Sequence, residues 1–289
     1  MSRFVLIGHP VGQSLSPAIH RAAYACLGVE HDYDLVDAPD ALAVRNQVRA
    51  LRDGSIAGAN VTVPHKRLAL SLADELDPSA ERVGAANVLA KSSTGAVVAY
   101  NTDALGLAHV LAEFSPGVER ALVIGNGGAA LASVVACQNL GVGHVAVTAR
   151  AFSADTAPQA WPHAEQFRRL GAETVPWFGS TDRVPASIAD CGLLLQATSA
   201  GMRGKDGGEE LAQLVPWAQL RDDARAYDLV YNPPLTPFLR AASERGLKTE
   251  GGLSMLVAQA QLAIEIWLGQ LPPSAPLLRA AERALEAFS

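Results

Sequence analysis

The chain has 289 residues, enough for two ordinary domains with large buried cores. Its hydrophobic share of 49% and charged share of 18% are those of a soluble globular protein. A net charge of -6 argues against a surface for nucleic acid or an anionic membrane.

Strand and helix patterns alternate from the start. Phe4-Val5-Leu6-Ile7 reads as a buried strand ended by Gly8. Residues 17–27 read as a helix, with Pro17 in its first turn and Gly28 past its end. A second strand over 33–36 and a second helix over 41–51 follow. Residues 59–63 are expected as a strand, because Val61 and Val63 alternate against Thr62. Pro64, which lacks a ladder donor, breaks it, and His65 and Lys66 sit just beyond. Helices are predicted over 67–75 and 80–83. Thr94-Gly95 then joins strands over 88–90 and 97–99 as a hairpin. Tyr100-Asn101-Thr102-Asp103 closes that hairpin with a polar cluster. Lys66 and Asp103, each past the end of a strand, suggest an acid/base pair.

From Ala121 the pattern becomes a β-α-β unit, with a strand over 121–124, a helix over 129–140 and a strand over 145–148. Residues 193–195 and 226–230 read as later strands of the same sheet, separated by a loop over 201–210 rich in glycine and charge. Alternation of this kind implies a parallel sheet covered by helices. Boundaries fall near Asp103 and near Gly251-Gly252, and the last helices, 253–268 and 275–288, are expected to return to the first domain.

Three cysteines, Cys26, Cys137 and Cys191, are odd in number and none lies in a C-x-x-C pair. Neither a disulfide framework nor a metal site is expected. The sequence opens without a charged, cleavable apolar leader, and its first apolar run is too short to span a bilayer. A reducing cytoplasm is the expected location.

Gly125-Asn126-Gly127-Gly128-Ala129-Ala130 follows a strand and opens a helix. It fits G-x-G-x-x-G/A, whose small residues let a pyrophosphate approach backbone N–H groups at a helix N-terminus. A tight turn with close helix–strand packing is the alternative. The next strand ends in Thr148-Ala149-Arg150, with no acid until Asp155. An arginine there can pair with the 2′-phosphate of NADP, unless it is a solvated surface residue.

Gly12-Gln13-Ser14-Leu15-Ser16-Pro17 places two hydroxyls at a helix N-terminus, which suits a carboxylate. Ser16 as a simple N-cap is an equally good reading. Gln259 interrupts the apolar face of its helix and needs a partner, either a ligand or a backbone group. Asn87 and Asn101 are candidate ligand residues or, alternatively, turn residues bonding their own backbone.

Several segments in order resemble the shikimate dehydrogenase family. They are Ser14-Leu15-Ser16-Pro17, Asn60 to Lys66, Gly84-Ala85-Ala86-Asn87, Asn101-Thr102-Asp103 and Gly125 to Ala129. Ala197 to Met202, Asp228 to Pro233 with Thr236, and Gly252 to Leu256 with Gln259 complete the set.

The resemblance implies an α/β fold of two domains. One is an N-terminal α/β substrate-binding catalytic domain over 1–103, completed by 253–289; the other is a Rossmann-like NADP-binding domain over 104–252. It implies reduction of 3-dehydroshikimate to shikimate with NADPH, on the route to aromatic amino acids, in a monomer or homodimer. By this likeness Ser14 and Ser16 hold the carboxylate, while Thr62, Asn87, Asp103, Gln259 and Tyr231 meet the ring. Lys66 and Asp103 form the catalytic pair. Gly125, Asn126, Gly127, Gly128, Ala129 and Arg150 hold the cofactor, with Thr198, Leu229 and Gly252 along its nicotinamide half.

The chain departs from the family pattern at several positions. His65 stands where an apolar aromatic is usual, Val88 where threonine is, and Ala104 where glycine is. Ala149 and Ala154 replace an asparagine and a second arginine around Arg150, so discrimination against NAD is expected to weaken. The alternatives are a paralogue acting on quinate or an aminated analogue, and a catalytically silent dinucleotide or metabolite sensor.

Overall fold

The computed structural model describes residues 1–178 and 189–287. The chain divides into two compact units, Met1–Gly106 with Leu256–Ser289, and Leu107–Met255.

The first unit is built on six strands, β1 (Ser2–Gly8), β2 (His31–Asp37), β3 (Gly58–Val61), β4 (Glu75–Leu76), β5 (Val88–Lys91) and β6 (Val97–Tyr100). They are ordered β2-β1-β3-β5-β6-β4. β1 runs parallel to β2 and β3, and β5 runs antiparallel to β3 and β6. The sheet is therefore mixed. α1 (Ser16–Leu27), α2 (Ala41–Asp53), α3 (Lys66–Leu72) and α4 (Pro78–Val83) connect the strands, and α5 (Thr102–Phe114) leaves the last one. Val5, Ile7, Val44, Val48, Leu51, Val61 and Leu89 pack into one core. A second, aromatic cluster gathers Phe4, His20, Tyr24 and Tyr33, with the His20 and Tyr33 rings stacked at 3.8 Å. Burial lowers the pKa of His20 to about 3 and keeps it neutral.

Two sequence expectations change here. The strand expected over 59–63 ends at Val61. Thr62 N–H still donates to Ile7 O (2.8 Å), but Val63 has left the sheet and is 67% exposed before Pro64. The helix expected over 67–75 runs over Lys66–Leu72, and Glu75 belongs to β4. Asp74 causes the break: its N–H donates to Val97 O and its carboxylate accepts from Val97 N–H, both at 2.8 Å.

The second unit contains β7 (Arg120–Ile124), α6 (Gly128–Asn139), β8 (His144–Thr148), α7 (Ala164–Arg169) and β9 (Glu173–Thr174). β10 (Leu193–Gln196), α8 (Glu209–Leu214), β11 (Arg225–Asp228), α9 (Pro237–Glu244) and β12 (Lys248–Gly251) follow. The six strands are all parallel, in the order β12-β11-β10-β7-β8-β9. The strand expected over 226–230 stops at Asp228, because its carboxylate accepts Val230 N–H (2.9 Å) and turns the chain. Leu122, Ile124, Leu194, Ala226, Phe238 and Leu239 form this unit's core.

α10 (Leu253–Leu268) and α11 (Ser274–Glu286) return the chain to the first unit. Phe288, the last residue of the helix expected there, lies outside the described residues. Trp267 of α10 stacks on Phe4 at 4.8 Å and donates to Leu89 O (3.1 Å). No helix among the described residues is long and apolar enough to cross a membrane.

Candidate active site

In the first unit, Ile7 pairs with Val61, Asn60 with Val88, and Val88 with Tyr100. The loops leaving β1, β3 and β6, and the one entering β5, therefore share one edge of the sheet. Those loops carry Ser14, Thr62 and Asn87, and α5 starts from the same edge with Asp103 in its first turn.

Lys66 opens α3 and Asp103 lies in the first turn of α5, where unpaired N–H groups favour an anion. Lys66 Nζ donates to Asp103 Oδ2 at 2.5 Å, with the side chains 26% and 15% exposed. Asn87 Nδ2 donates to the other carboxylate oxygen (2.9 Å) and to Thr102 Oγ1 (2.9 Å). Thr102 N–H donates back to Asn87 Oδ1 at 2.7 Å. Gln259 Oε1 accepts from Asn87 at 3.4 Å, and Gln259 Nε2 donates to Leu256 O at 2.7 Å. Asp103 is thus held from both oxygens, one by an ammonium and one by an amide.

Gly106 lets α5 and α10 approach closely enough for this web. A Cβ at Gly106 would lie 2.8 Å from the backbone nitrogen of Gln259. Asn101 caps α5 by accepting Ala104 N–H (3.2 Å), and its amide donates to Ala85 O (2.9 Å), so it is a structural turn residue.

Ser16 is the first residue of α1 and makes no side-chain cap. Ser14 Oγ instead accepts Ser16 N–H (3.2 Å) and donates to Ser16 Oγ (3.1 Å), bringing the two hydroxyls together. Thr62 is fixed through its backbone, its carbonyl accepting His65 N–H at 2.9 Å. His65 is buried and its Nε2 donates to Ala38 O at 2.7 Å. That bond ties the start of α3 to the end of β2.

In the second unit, Thr148, Ile124, Gln196, Asp228 and Gly251 pair in one row across β8, β7, β10, β11 and β12. Arg150, the Gly125 turn, Thr198, Leu229 and Gly252 each follow a member of that row by one or two residues. All the predicted dinucleotide residues thus stand at the carboxyl edge of one parallel sheet. The chain reverses direction across the sheet between β7 and β10, the switch point where open α/β sheets take ligands. The turn has room for one: a Cβ at Gly127 or Gly128 would meet no atom within 4 Å, just where α6 presents its free N–H groups. Gly252 is held closely, since a Cβ there would lie 2.1 Å from Leu229 O. These residues fit a bound dinucleotide.

Asp228, fully buried below that edge, accepts from Thr236 Oγ1 at 2.6 Å. Burial raises its pKa to about 7 despite that bond. Tyr231 lies beyond β11 in this unit, and burial raises its phenol pKa. Arg150 Nη2 donates to Asp206 Oδ2 at 3.1 Å. Asp206 belongs to the glycine- and charge-rich loop but was not among the sequence candidates. Nor was Asn60, whose side chain accepts from Tyr33 Oη at 2.6 Å. The break in hydrophobic pattern at Asn60, inside an otherwise apolar strand, was the available signal for it.

A parallel sheet with a glycine turn at its switch point, together with a separate α/β unit bearing a Lys–Asp pair at its sheet edge, defines a dinucleotide-dependent oxidoreductase. Residues 6–89 match the family model of the shikimate dehydrogenase substrate binding domain, and residues 252–282 that of the shikimate 5′-dehydrogenase C-terminal domain. The chain belongs to the shikimate dehydrogenase family. It is 40% identical over 285 residues to a shikimate dehydrogenase (NADP(+)) of Methylobacterium radiotolerans, covering 96% of this chain and 95% of that one. A crystal structure of the Thermus thermophilus enzyme in complex with NADP(H) and shikimate superposes with a TM-score of 0.83 at 35% identity, covering 98% of this chain and all of the other. The Listeria monocytogenes enzyme, solved with shikimate and NAD, gives a TM-score of 0.83 at 26% identity, covering 100% of this chain and 96% of the other.

Proposed function

We propose that this chain catalyses the reversible, NADPH-dependent reduction of 3-dehydroshikimate to shikimate. The observation that carries the reading is the Lys66–Asp103 pair at 2.5 Å, held from its far side by Asn87. Bound NADPH supplies the hydride that reduces the ring carbonyl. Lys66, as an ammonium, stabilises the negative charge that grows on the carbonyl oxygen and delivers a proton to it. Asp103 orients Lys66 and accepts from the same hydroxyl. Asn87, Gln259 and Thr62 bind ring hydroxyls, Ser14 and Ser16 take the carboxylate, and Tyr231 also meets the substrate. The paired serine hydroxyls support the carboxylate assignment, since both reach a helix N-terminus that favours an anion.

On the cofactor side, backbone groups of Gly125 to Ala129 hold the pyrophosphate. Arg150 takes the 2′-phosphate, and Thr198, Leu229 and Gly252 line the nicotinamide half. NADP is the cofactor of the relatives named for it, and NAD acceptance by this chain is supported by the single arginine at the end of β8.

Shikimate oxidation with NADP+ in wild type and Lys66→Ala tests the assignment. Loss of an acid/base group should lower kcat by about 10²–10⁴-fold. A variant turning over at near wild-type rate removes Lys66 from the chemistry. A higher kcat/KM on quinate than on shikimate would reassign the substrate while keeping the pair.

A further inference from the structure

We propose that Asp206 sets how strongly this chain prefers NADPH over NADH, by competing with the ribose 2′-phosphate for Arg150. The inference rests on the reading that Arg150 contacts that phosphate.

Arg150 is the one basic side chain in the segment Ala149-Arg150-Ala151-Phe152-Ser153-Ala154 that leaves β8. Its guanidinium is therefore the main positive group that this stretch offers to a phosphate. It is already engaged by Asp206 through one donor, with side chains 62% and 47% exposed. An exposed, single-donor pair of this kind is weak enough for a ligand to break.

The acid is more firmly placed than the arginine. Asp206 Oδ1 accepts Gly208 N–H at 3.1 Å, and its backbone carbonyl accepts Gly201 N–H at 2.7 Å. These bonds pin both ends of the residue to its own loop. The carboxylate does not travel with Arg150 when the guanidinium turns to a ligand. A 2′-phosphate must then take a donor away from Asp206 and settle near a fixed negative charge. A ribose with a free 2′-hydroxyl meets neither cost, and a carboxylate beside that hydroxyl is the usual arrangement in NAD sites. The same ion pair thus weakens the phosphate's advantage and leaves the hydroxyl form unopposed.

The test is calorimetric binding of 2′,5′-ADP and 5′-AMP to the full chain, as wild type, Asp206→Asn, Arg150→Ala and the double variant. Asparagine keeps an oxygen for Gly208 N–H and removes only the charge; Asp206→Ala serves as a second probe and should act in the same direction. We expect Asp206→Asn to tighten 2′,5′-ADP by about two- to five-fold, the scale of an exposed ion pair, and to leave 5′-AMP untightened. The gain should vanish in the Arg150→Ala background, and the NADPH/NADH ratio of kcat/KM should rise by the same factor in the single variant. Equal tightening of both nucleotides, or of neither, overturns the role of Asp206. If Arg150→Ala leaves 2′,5′-ADP affinity intact, the reading of Arg150 itself fails, which is a separate result.

Discussion

Replacing Asp228 with asparagine should flatten the pH dependence of this protein's stability. The carboxyl is fully buried at the end of β11, where Thr236 and Val230 donate to it at 2.6 and 2.9 Å. Burial nevertheless raises its pKa from 3.8 to about 7. A raised folded-state value means that the fold holds the proton more tightly than the unfolded chain does. Below pH 3.8 the group is protonated in both states and costs nothing. As pH rises from there the unfolded chain ionises first, so stability falls until the folded carboxyl also ionises near pH 7. A gap of about three pKa units corresponds to about 4 kcal/mol, of which roughly 2–3 kcal/mol is lost between about pH 5 and about pH 8. Asparagine carries no such proton and keeps an acceptor oxygen. Urea unfolding of wild type and Asp228→Asn, at both pH values and one ionic strength, reads the difference directly. Wild type should lose roughly 2–3 kcal/mol relative to the variant on going from the lower pH to the higher. A wild type–variant difference that is the same at both would refute the reasoning.

Two further substitutions probe the packing behind the site. Gly106→Ala puts a Cβ 2.8 Å from the Gln259 backbone, so α10 must shift. We expect a loss of about 1–3 kcal/mol in chemical denaturation and a raised KM for the ring acid, with an unchanged KM counting against the close approach as a feature of the site. His65→Phe keeps a flat aromatic ring, slightly larger than imidazole, but strands the buried Ala38 carbonyl, which now accepts from Nε2 at 2.7 Å. Stability should fall by about 1–3 kcal/mol while kcat stays within roughly two-fold. A large drop in kcat at full stability would mean that His65 acts on Lys66 chemically.

Much of the fold was legible because local signals agreed with the tertiary outcome. Gly28 past the predicted first helix takes φ 67, and Gly95 in the predicted hairpin takes φ 92, as such stops and turns require. Residues 253–268 carry a mostly apolar pattern, and α10 covers the same span. Two of the misses originate in non-local bonding and one in a masked local signal. β12, Lys-Thr-Glu-Gly, has no apolar pattern and exists because β11 offers it a ladder on one side. Glu75 looked like the tail of a helix until Asp74 bonded reciprocally to Val97, far along the chain. α9 was missed although Thr236 caps it at Leu239 N–H and Pro237 opens it, a start signal hidden by the prolines before it.

In the candidate site, residue types were readable and geometry was not. That Lys66 and Asp103 meet at 2.5 Å follows from β3 and β6 ending on the same edge, which only the strand order settles. The Arg150–Asp206 pair joins two loops across the second sheet, and neither loop's sequence names the other.

The first unit is discontinuous, with all of the second unit's residues lying between its two segments. Phe4 stacks on Trp267, and Asn87 shares its amide with Gln259. On the ribosome, which delivers a chain from its N-terminus, the second unit can close its sheet while the first still lacks α10 and α11. The aromatic face of Phe4 waits for a ring supplied by the unit's second segment. The candidate site around Lys66 is therefore complete only once the segment carrying Gln259 has followed the second unit, and not when the sheet that carries Lys66 first forms.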